Sequence, residues 1–168
     1  MDRREFCVKL MGTSLVLGGL SNGSPAESAD PAAPAQKLVW HKTLKAAHKL
    51  AIETDKPLLI VFGASWCGFC HKLERETLAD KRIVPLIERD FIPVHLDFDR
   101  DKKVAKILEV EHLPCTVILS PDADLLQKSE GFTDYKGYIK ILQAALEKRA
   151  TIQQVQNHPQ QFLLKKIL

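Results

Sequence analysis

An unbroken apolar run that leads directly into two cysteines three positions apart is the feature that most constrains the fold of this chain. The run 58–62 (LLIVF) has no polar residue, which is typical of a central strand buried on both faces. After the turn 63–65, Cys67 and Cys70 begin a stretch of helical spacing that continues to about Leu78. The sequence therefore predicts a strand–turn–helix unit with one cysteine at the start of the helix and the second one turn later.

This placement has a chemical consequence. Unpaired N–H groups and the macrodipole at the start of a helix stabilise a thiolate, which is the nucleophilic form of cysteine. Two residues separate the thiols, so they share one helical turn and can form a disulfide. Cys67 is then expected to attack a substrate disulfide, and Cys70, deeper in the helix, to attack Cys67 and release the product.

The rest of the chain alternates between helical and strand patterns. Predicted helices cover 43–54, 80–88 (capped by Asp80, with Pro85 as an irregularity), 101–109 and 134–149 (capped by Asp134). Predicted strands cover 37–40 at an edge, 91–96, 116–119 and 125–130, with a hairpin turn at 121–124. Pro93 suits an edge strand because it lacks an N–H. This order predicts an α/β class: a central sheet with helices on both faces.

The first 35 residues have the pattern of an export signal. Arg3 and Arg4 precede an apolar stretch at 8–20, and the local sequence RREF resembles a bacterial twin-arginine signal. We predict a signal and flexible lead-in over 1–35, a domain over 36–149 and a helical extension over 150–168. Export by the twin-arginine or general secretory route would make the protein periplasmic or otherwise extracytoplasmic. A disordered tail on a cytosolic protein is the alternative.

Composition excludes several classes of function. The chain has 168 residues, a formal net charge of +3 and no block of Lys and Arg that would indicate nucleic-acid binding. It has no apolar run of the length that spans a membrane. Of its four cysteines, Cys7 falls in the predicted signal, so three remain. Three cysteines at this spacing indicate one functional pair and a single thiol rather than a disulfide framework.

The segment 58–70 (LLIVFGASWCGFC) resembles the strand and active site of the thioredoxin superfamily. It is most similar to exported thioredoxin-like proteins and to the reducing end-domain of the bacterial membrane disulfide reductase. The segment 110–114 (VEHLP) is a second match, at the place where the family has a cis-proline facing the active disulfide. The likeness spans 37–149 and implies a three-layer, thioredoxin-like fold with a mixed sheet. The implied site comprises catalytic Cys67 and Cys70 supported by Trp66, Gly68, Phe69, His71, Leu113 and Pro114.

Two departures from the family pattern raise questions. Val61 stands where thioredoxins carry a buried acid that helps to deprotonate the second cysteine. His71 is a candidate for that proton transfer, with a helix-surface position as the alternative. Cys115 follows Pro114 where the family usually has Thr. It is either a third redox thiol or a buried small apolar residue.

These patterns predict a protein thiol–disulfide oxidoreductase with no cofactor and no metal. The residues between the cysteines are closer to those of reductases and isomerases than to those of the strong oxidant, and a membrane or periplasmic donor would keep the pair reduced. Two other functions are possible. Cys67, Cys70 and His71 form the C-x-x-C-H pattern of c-type haem attachment, although both methionines, Met1 and Met11, fall in the predicted signal. A zinc or other binding module is the second, with ligands from Cys67, Cys70, Cys115 and His112.

Overall fold

The computed structural model describes residues 38–157, where helices and strands alternate around one sheet. The helices are α1 (Leu44–Thr54), α2 (Gly68–Leu73), α3 (Val84–Asp90), α4 (Lys102–Ile107) and α5 (Tyr135–Asn157); a π-helical turn, Glu74–Leu78, continues α2. The strands are β1 (Leu58–Gly63), β2 (Ile92–Asp97), β3 (Cys115–Leu119) and β4 (Leu125–Glu130). No helix in the described range is long and apolar enough to cross a membrane. The predicted signal over 1–35 lies outside the described residues.

The sheet is mixed and has the order β2-β1-β3-β4. Strand β1 pairs in parallel with β2 and antiparallel with β3, which pairs antiparallel with β4. Every residue of β1 is buried, as the apolar run predicts for an interior strand. Pro93 lies in the edge strand β2, where no neighbouring strand needs its missing N–H.

Alternate side chains of β1 divide the core into two layers. Leu59 and Val61 belong to a cluster with residues of α2, α3 and α5, whereas Ile60 and Phe62 belong to one with residues of α1 and α4. Fully burying a side chain of the size of Phe62 contributes about 1.5–3 kcal/mol. The predicted three-layer α/β fold is therefore confirmed.

Two predicted elements differ in the structure. The edge strand predicted at 37–40 is not formed in its described part, and only His41 makes a bridge, in parallel with Val94. The helix predicted to follow Asp80 begins at Val84 instead. The Asp80 side chain accepts the Arg82 backbone N–H (2.8 Å), which forms a local turn, and Pro85 takes a first-turn position that needs no N–H donor.

The last helix is longer than the pattern predicts. Asp134 accepts the backbone N–H of Gly137 at 2.9 Å and so caps its start, as expected. α5 then runs without a break through the predicted domain boundary at 149/150 to Asn157. The described part of the predicted extension, 150–157, is therefore helical and continuous with α5, and residues 158–168 lie outside the described range.

Candidate active site

The two cysteines form a disulfide at the start of α2. Cys67 and Cys70 have their Cα atoms 5.3 Å apart, and Cys67 is the residue that caps the helix. Its Sγ accepts the Cys70 backbone N–H at 3.1 Å, while its own N–H donates to Ala64 carbonyl oxygen at 3.0 Å. The turn between β1 and α2 thus holds the first sulfur at the helix N-terminus, where backbone dipoles favour a thiolate.

Only the first cysteine lines the adjacent surface groove. The groove has a volume of about 310 Å³ and is lined by Trp66, Cys67, Gly68, Phe69, Phe98, Glu111 and Leu113. Cys70 is not among the lining residues and is the more buried of the two cysteines. A molecule bound in the groove would therefore meet Cys67 first, as the order of attack predicted from the sequence requires.

The rim of the groove carries two exposed aromatic side chains. Trp66 and Phe69 are 66% and 63% exposed. Trp66 Nε1 donates to Asp99 Oδ2 at 2.8 Å, and the Asp99 N–H donates to Asp97 Oδ1 at 3.0 Å. These bonds join the loop after β1 to the loop after β2. They fix the indole while leaving its apolar face open to a ligand.

The opposite wall of the groove comes from the loop before β3. The Leu113–Pro114 peptide bond is cis, and Leu113 contacts the cluster that contains both active-site cysteines. Pro114 carbonyl oxygen accepts the Gly131 N–H at 2.7 Å. Gly131 has φ +83°, a conformation that favours glycine. The proline segment singled out from the sequence therefore lies beside the disulfide.

Cys115 is not among the residues that line the groove. It is completely buried among the residues that β1 presents to α1 and α4, and it pairs in register with Phe62. Burial, with a smaller contribution from Glu130, raises the pKa of its thiol to about 11. Its surroundings are those of a small core residue.

His71 is held by two contacts on the surface of α2. Its Nε2 lies 3.0 Å from Ser65 carbonyl oxygen, and its Nδ1 lies 3.9 Å from Glu74 Oε2. The two ring nitrogens of His71 therefore face oxygen atoms of Ser65 and Glu74 rather than either active-site sulfur.

A carboxylate–imidazole pair near Cys70 was missed by sequence analysis. Glu74 Oε1 lies 2.9 Å from Nε2 of His95, which occupies the position on β2 paired with Val61. In the sequence, His95 is noticeable as a polar residue within the largely apolar strand 92–96. Its position beside β1 follows from strand register, which the sequence does not give. Phe98 in the groove was also not anticipated, and Glu111, which lies in the matched segment 110–114, was not named as a site residue.

The geometry also bears on the two other functions considered. The sulfur atoms that would attach a haem are bonded to each other. Within residues 38–157, no three His, Cys, Asp or Glu side chains are grouped so as to hold a metal ion, so the possible zinc ligands are not brought together.

Comparison with known proteins gives matches over most of the described range. The family model for the Thioredoxin-like domain matches residues 44–146. The thioredoxin-related protein DsbJ of Chlamydia pneumoniae is 22% identical over 142 residues, which cover 77% of this chain and 40% of that protein. The chain therefore spans less than half the length of this relative. A thioredoxin of Mycoplasmoides gallisepticum is 30% identical over 95 residues, which cover 55% of this chain and 87% of that protein.

The structural comparison agrees with these matches. A thioredoxin from Thermus thermophilus superimposes with a TM-score of 0.64 at 20% identity, covering 73% of this chain and 98% of the other. At this level of identity, the likeness establishes the shared fold.

Proposed function

The chain belongs to the thioredoxin-like family, and on that premise we propose that it is an exported thiol–disulfide oxidoreductase that reduces or isomerises protein disulfides. We assign Cys67 as the nucleophile and Cys70 as the resolving cysteine. The observation that carries this proposal is the asymmetry of the pair: Cys67 caps α2 and lines the groove, whereas Cys70 lies behind it.

The reaction follows from this asymmetry. The Cys67 thiolate attacks one sulfur of a substrate disulfide, a Cys67–substrate bond forms, and the other substrate sulfur leaves as a thiolate that takes up a proton. Cys70 then loses its proton and attacks Cys67 Sγ, which releases the second substrate thiol. Two electrons pass to the substrate, and the Cys67–Cys70 disulfide must be reduced by a donor before the next cycle.

The surroundings of Cys67 support a reductase or isomerase rather than a strong oxidant. A disulfide is strongly oxidising when its reduced form is strongly stabilised. Here Cys67 Sγ accepts a single backbone N–H, and the nearby imidazole of His71 contacts Ser65 and Glu74 instead. A reduced form with no more stabilising contacts than these would favour electron flow towards the substrate, and a redox titration tests this.

The groove supports a polypeptide substrate. Its walls are mainly apolar, and the exposed Trp66 and Phe69 stand on either side of Cys67 in the sequence. Covering exposed aromatic surface of this kind favours an extended chain segment with apolar residues around its cysteine. The electron donor is proposed to be a membrane or periplasmic thiol protein that uses the same groove.

The proposal of export depends on the sequence of 1–35. It is tested by expressing the full chain in a bacterium with a twin-arginine pathway, separating periplasm from cytoplasm and sequencing the N-terminus. We expect a shortened chain outside the cytoplasm. Retention of a variant with both Arg3→Lys and Arg4→Lys would assign export to the twin-arginine route, whereas its continued export would assign it to the general secretory route. An intact Met1 on cytoplasmic protein would contradict export.

A redox titration tests the proposed direction. The purified chain is equilibrated in glutathione buffers, its free thiols are alkylated and its mass is measured. A midpoint below about −240 mV supports a reductase, whereas one above about −200 mV supports an isomerase or oxidase. Cys115→Ala should keep the midpoint, and Cys70→Ser should remove the transition. A pair that does not titrate, or a mass increase the size of a haem with a Soret band, would contradict the proposal.

An activity comparison separates the two remaining options. A reductase should reduce insulin disulfides rapidly with a dithiol donor, whereas an isomerase should restore activity to ribonuclease with scrambled disulfides. Cys70→Ser is the matched control, because it keeps the attack by Cys67 but prevents its resolution.

A further inference from the structure

The Glu74–His95 pair lies directly behind the resolving cysteine. Glu74 follows Cys70 by one helical turn, so both side chains project from the same face. His95 projects from the neighbouring strand β2 and is 33% exposed, and the Oε1–Nε2 distance is 2.9 Å. The pair is therefore fixed between the helix that carries the disulfide and the edge of the sheet.

Gly63, at the end of β1, shows how close the imidazole is to Cys70. A Cβ atom built on Gly63 would lie 3.4 Å from His95 Nε2 and 3.6 Å from Cys70 Cβ. The imidazole and the resolving cysteine thus flank the same position. Glycine has no side chain at this position, and a single water can link a base to the group whose proton it accepts.

The reaction requires a proton acceptor at this place. Cys70 is only 3% exposed, and a buried thiol loses its proton less readily than one in water. Val61 occupies the position at which thioredoxins carry a buried acid. Its side chain is buried and apolar, so it cannot accept a proton. His95 is the residue that strand pairing places directly beside Val61.

We propose that the Glu74–His95 pair accepts the Cys70 proton when Cys70 attacks the mixed disulfide. This inference rests on the proposed function. The proton moves from Cys70 Sγ through one water to the pair, and the Cys70 sulfur forms its bond with Cys67 Sγ. The substrate sulfur leaves as a thiolate, and the pair or solvent returns a proton to it. Imidazole suits this task because it exchanges protons near neutral pH.

Few other charged groups face the pair. His71 on α2 approaches Glu74 Oε2 at 3.9 Å, and the Trp40 ring meets the His95 ring edge-on with centroids 5.7 Å apart. His41 contributes its backbone carbonyl, which accepts the His95 N–H at 3.0 Å. Asp97 lies two residues after His95 on the same face of β2 and pairs in register with Gly63, and its carboxylate accepts the backbone N–H groups of Asp99 and Arg100. His71 and Asp97 are therefore the neighbouring titratable side chains in the described residues that compete for the assignment.

The test measures release of substrate from the mixed disulfide in a single turnover, between about pH 5.5 and 9. His95→Gln and Glu74→Gln should each slow release at least about tenfold at neutral pH, and hydroxide should restore the rate at high pH. Alkylation of Cys67 in the reduced protein should keep its wild-type rate. The control is His48→Gln, a change on α1 at a histidine that contacts the Pro121 carbonyl oxygen, and it should keep the wild-type profile.

A second variant keeps the test valid if His95→Gln lowers the thermal midpoint. Gly63→Ala retains every titratable group but places a methyl at ordinary contact distance between His95 and Cys70. It should slow release at neutral pH in the same way. Wild-type profiles for these variants, or a loss seen with His71→Ala instead, would overturn the assignment. If the wild-type chain forms no mixed disulfide at all, the proposed function itself fails.

Discussion

Burial should make Cys115 almost unreactive in the folded protein. The pKa of its thiol rises from the ordinary 9.0 to about 11, chiefly because burial disfavours the thiolate. At pH 8, the thiolate fraction should therefore fall by about a hundredfold, and alkylating reagents attack the thiolate. The side chain is also fully buried, so a reagent must wait for local opening. The raised pKa and the burial of the side chain therefore both slow alkylation of Cys115.

The assay compares labelling in folded and unfolded protein. The oxidised chain, with Cys67 and Cys70 protected as a disulfide, is treated with iodoacetamide at pH 8, and the Cys115 peptide is quantified by mass spectrometry. We expect labelling to be at least about a hundredfold slower than in guanidinium chloride. A folded-state rate within about tenfold of the denatured rate would refute the reasoning from burial and would return Cys115 to consideration as a third redox thiol.

Three further predictions concern the groove and the stability of the domain. Trp66→Phe removes the indole hydrogen bond to Asp99, so KM for a protein substrate should rise with little change in kcat. A KM equal to that of the wild-type protein would contradict a role for this rim in binding. The hydrogen bond from Arg82 lowers the pKa of Asp80 to about 2, so its stabilisation is present above the unfolded value of 3.8 and is lost as the pH falls towards 2. Urea unfolding should show Asp80→Asn less stable than wild type at pH 6 by at most about 1 kcal/mol, with the difference gone near pH 2; a difference that grows on acidification would be the wrong sign. Asp134→Ala removes the cap of α5 and should lower the free energy of unfolding by about 1 kcal/mol, while Asp134→Asn should retain most of it.

Local sequence predicted the structure correctly where the interactions that determine an element lie within one short segment. The apolar run before the cysteines could only be an interior strand, because each of its faces needs burial. The cap at Asp134 and the hairpin before β4 were also predictable, since each depends on hydrogen bonds within a few residues. The helix predicted after Asp80 was wrong at its start because a side-chain turn competed with the helix there.

The sequence by itself determined that a buried strand would present two cysteines at the start of a helix, because apolar continuity and residue spacing are properties of the chain. Tertiary structure decided what surrounds them. Pairing between β1 and β2 placed His95 beside Val61, and the helix turn after Cys70 brought Glu74 within 2.9 Å of that imidazole. The same packing buried Cys115, so that it does not line the groove. Contacts between residues far apart in sequence depend on strand register and helix packing, which no local pattern encodes.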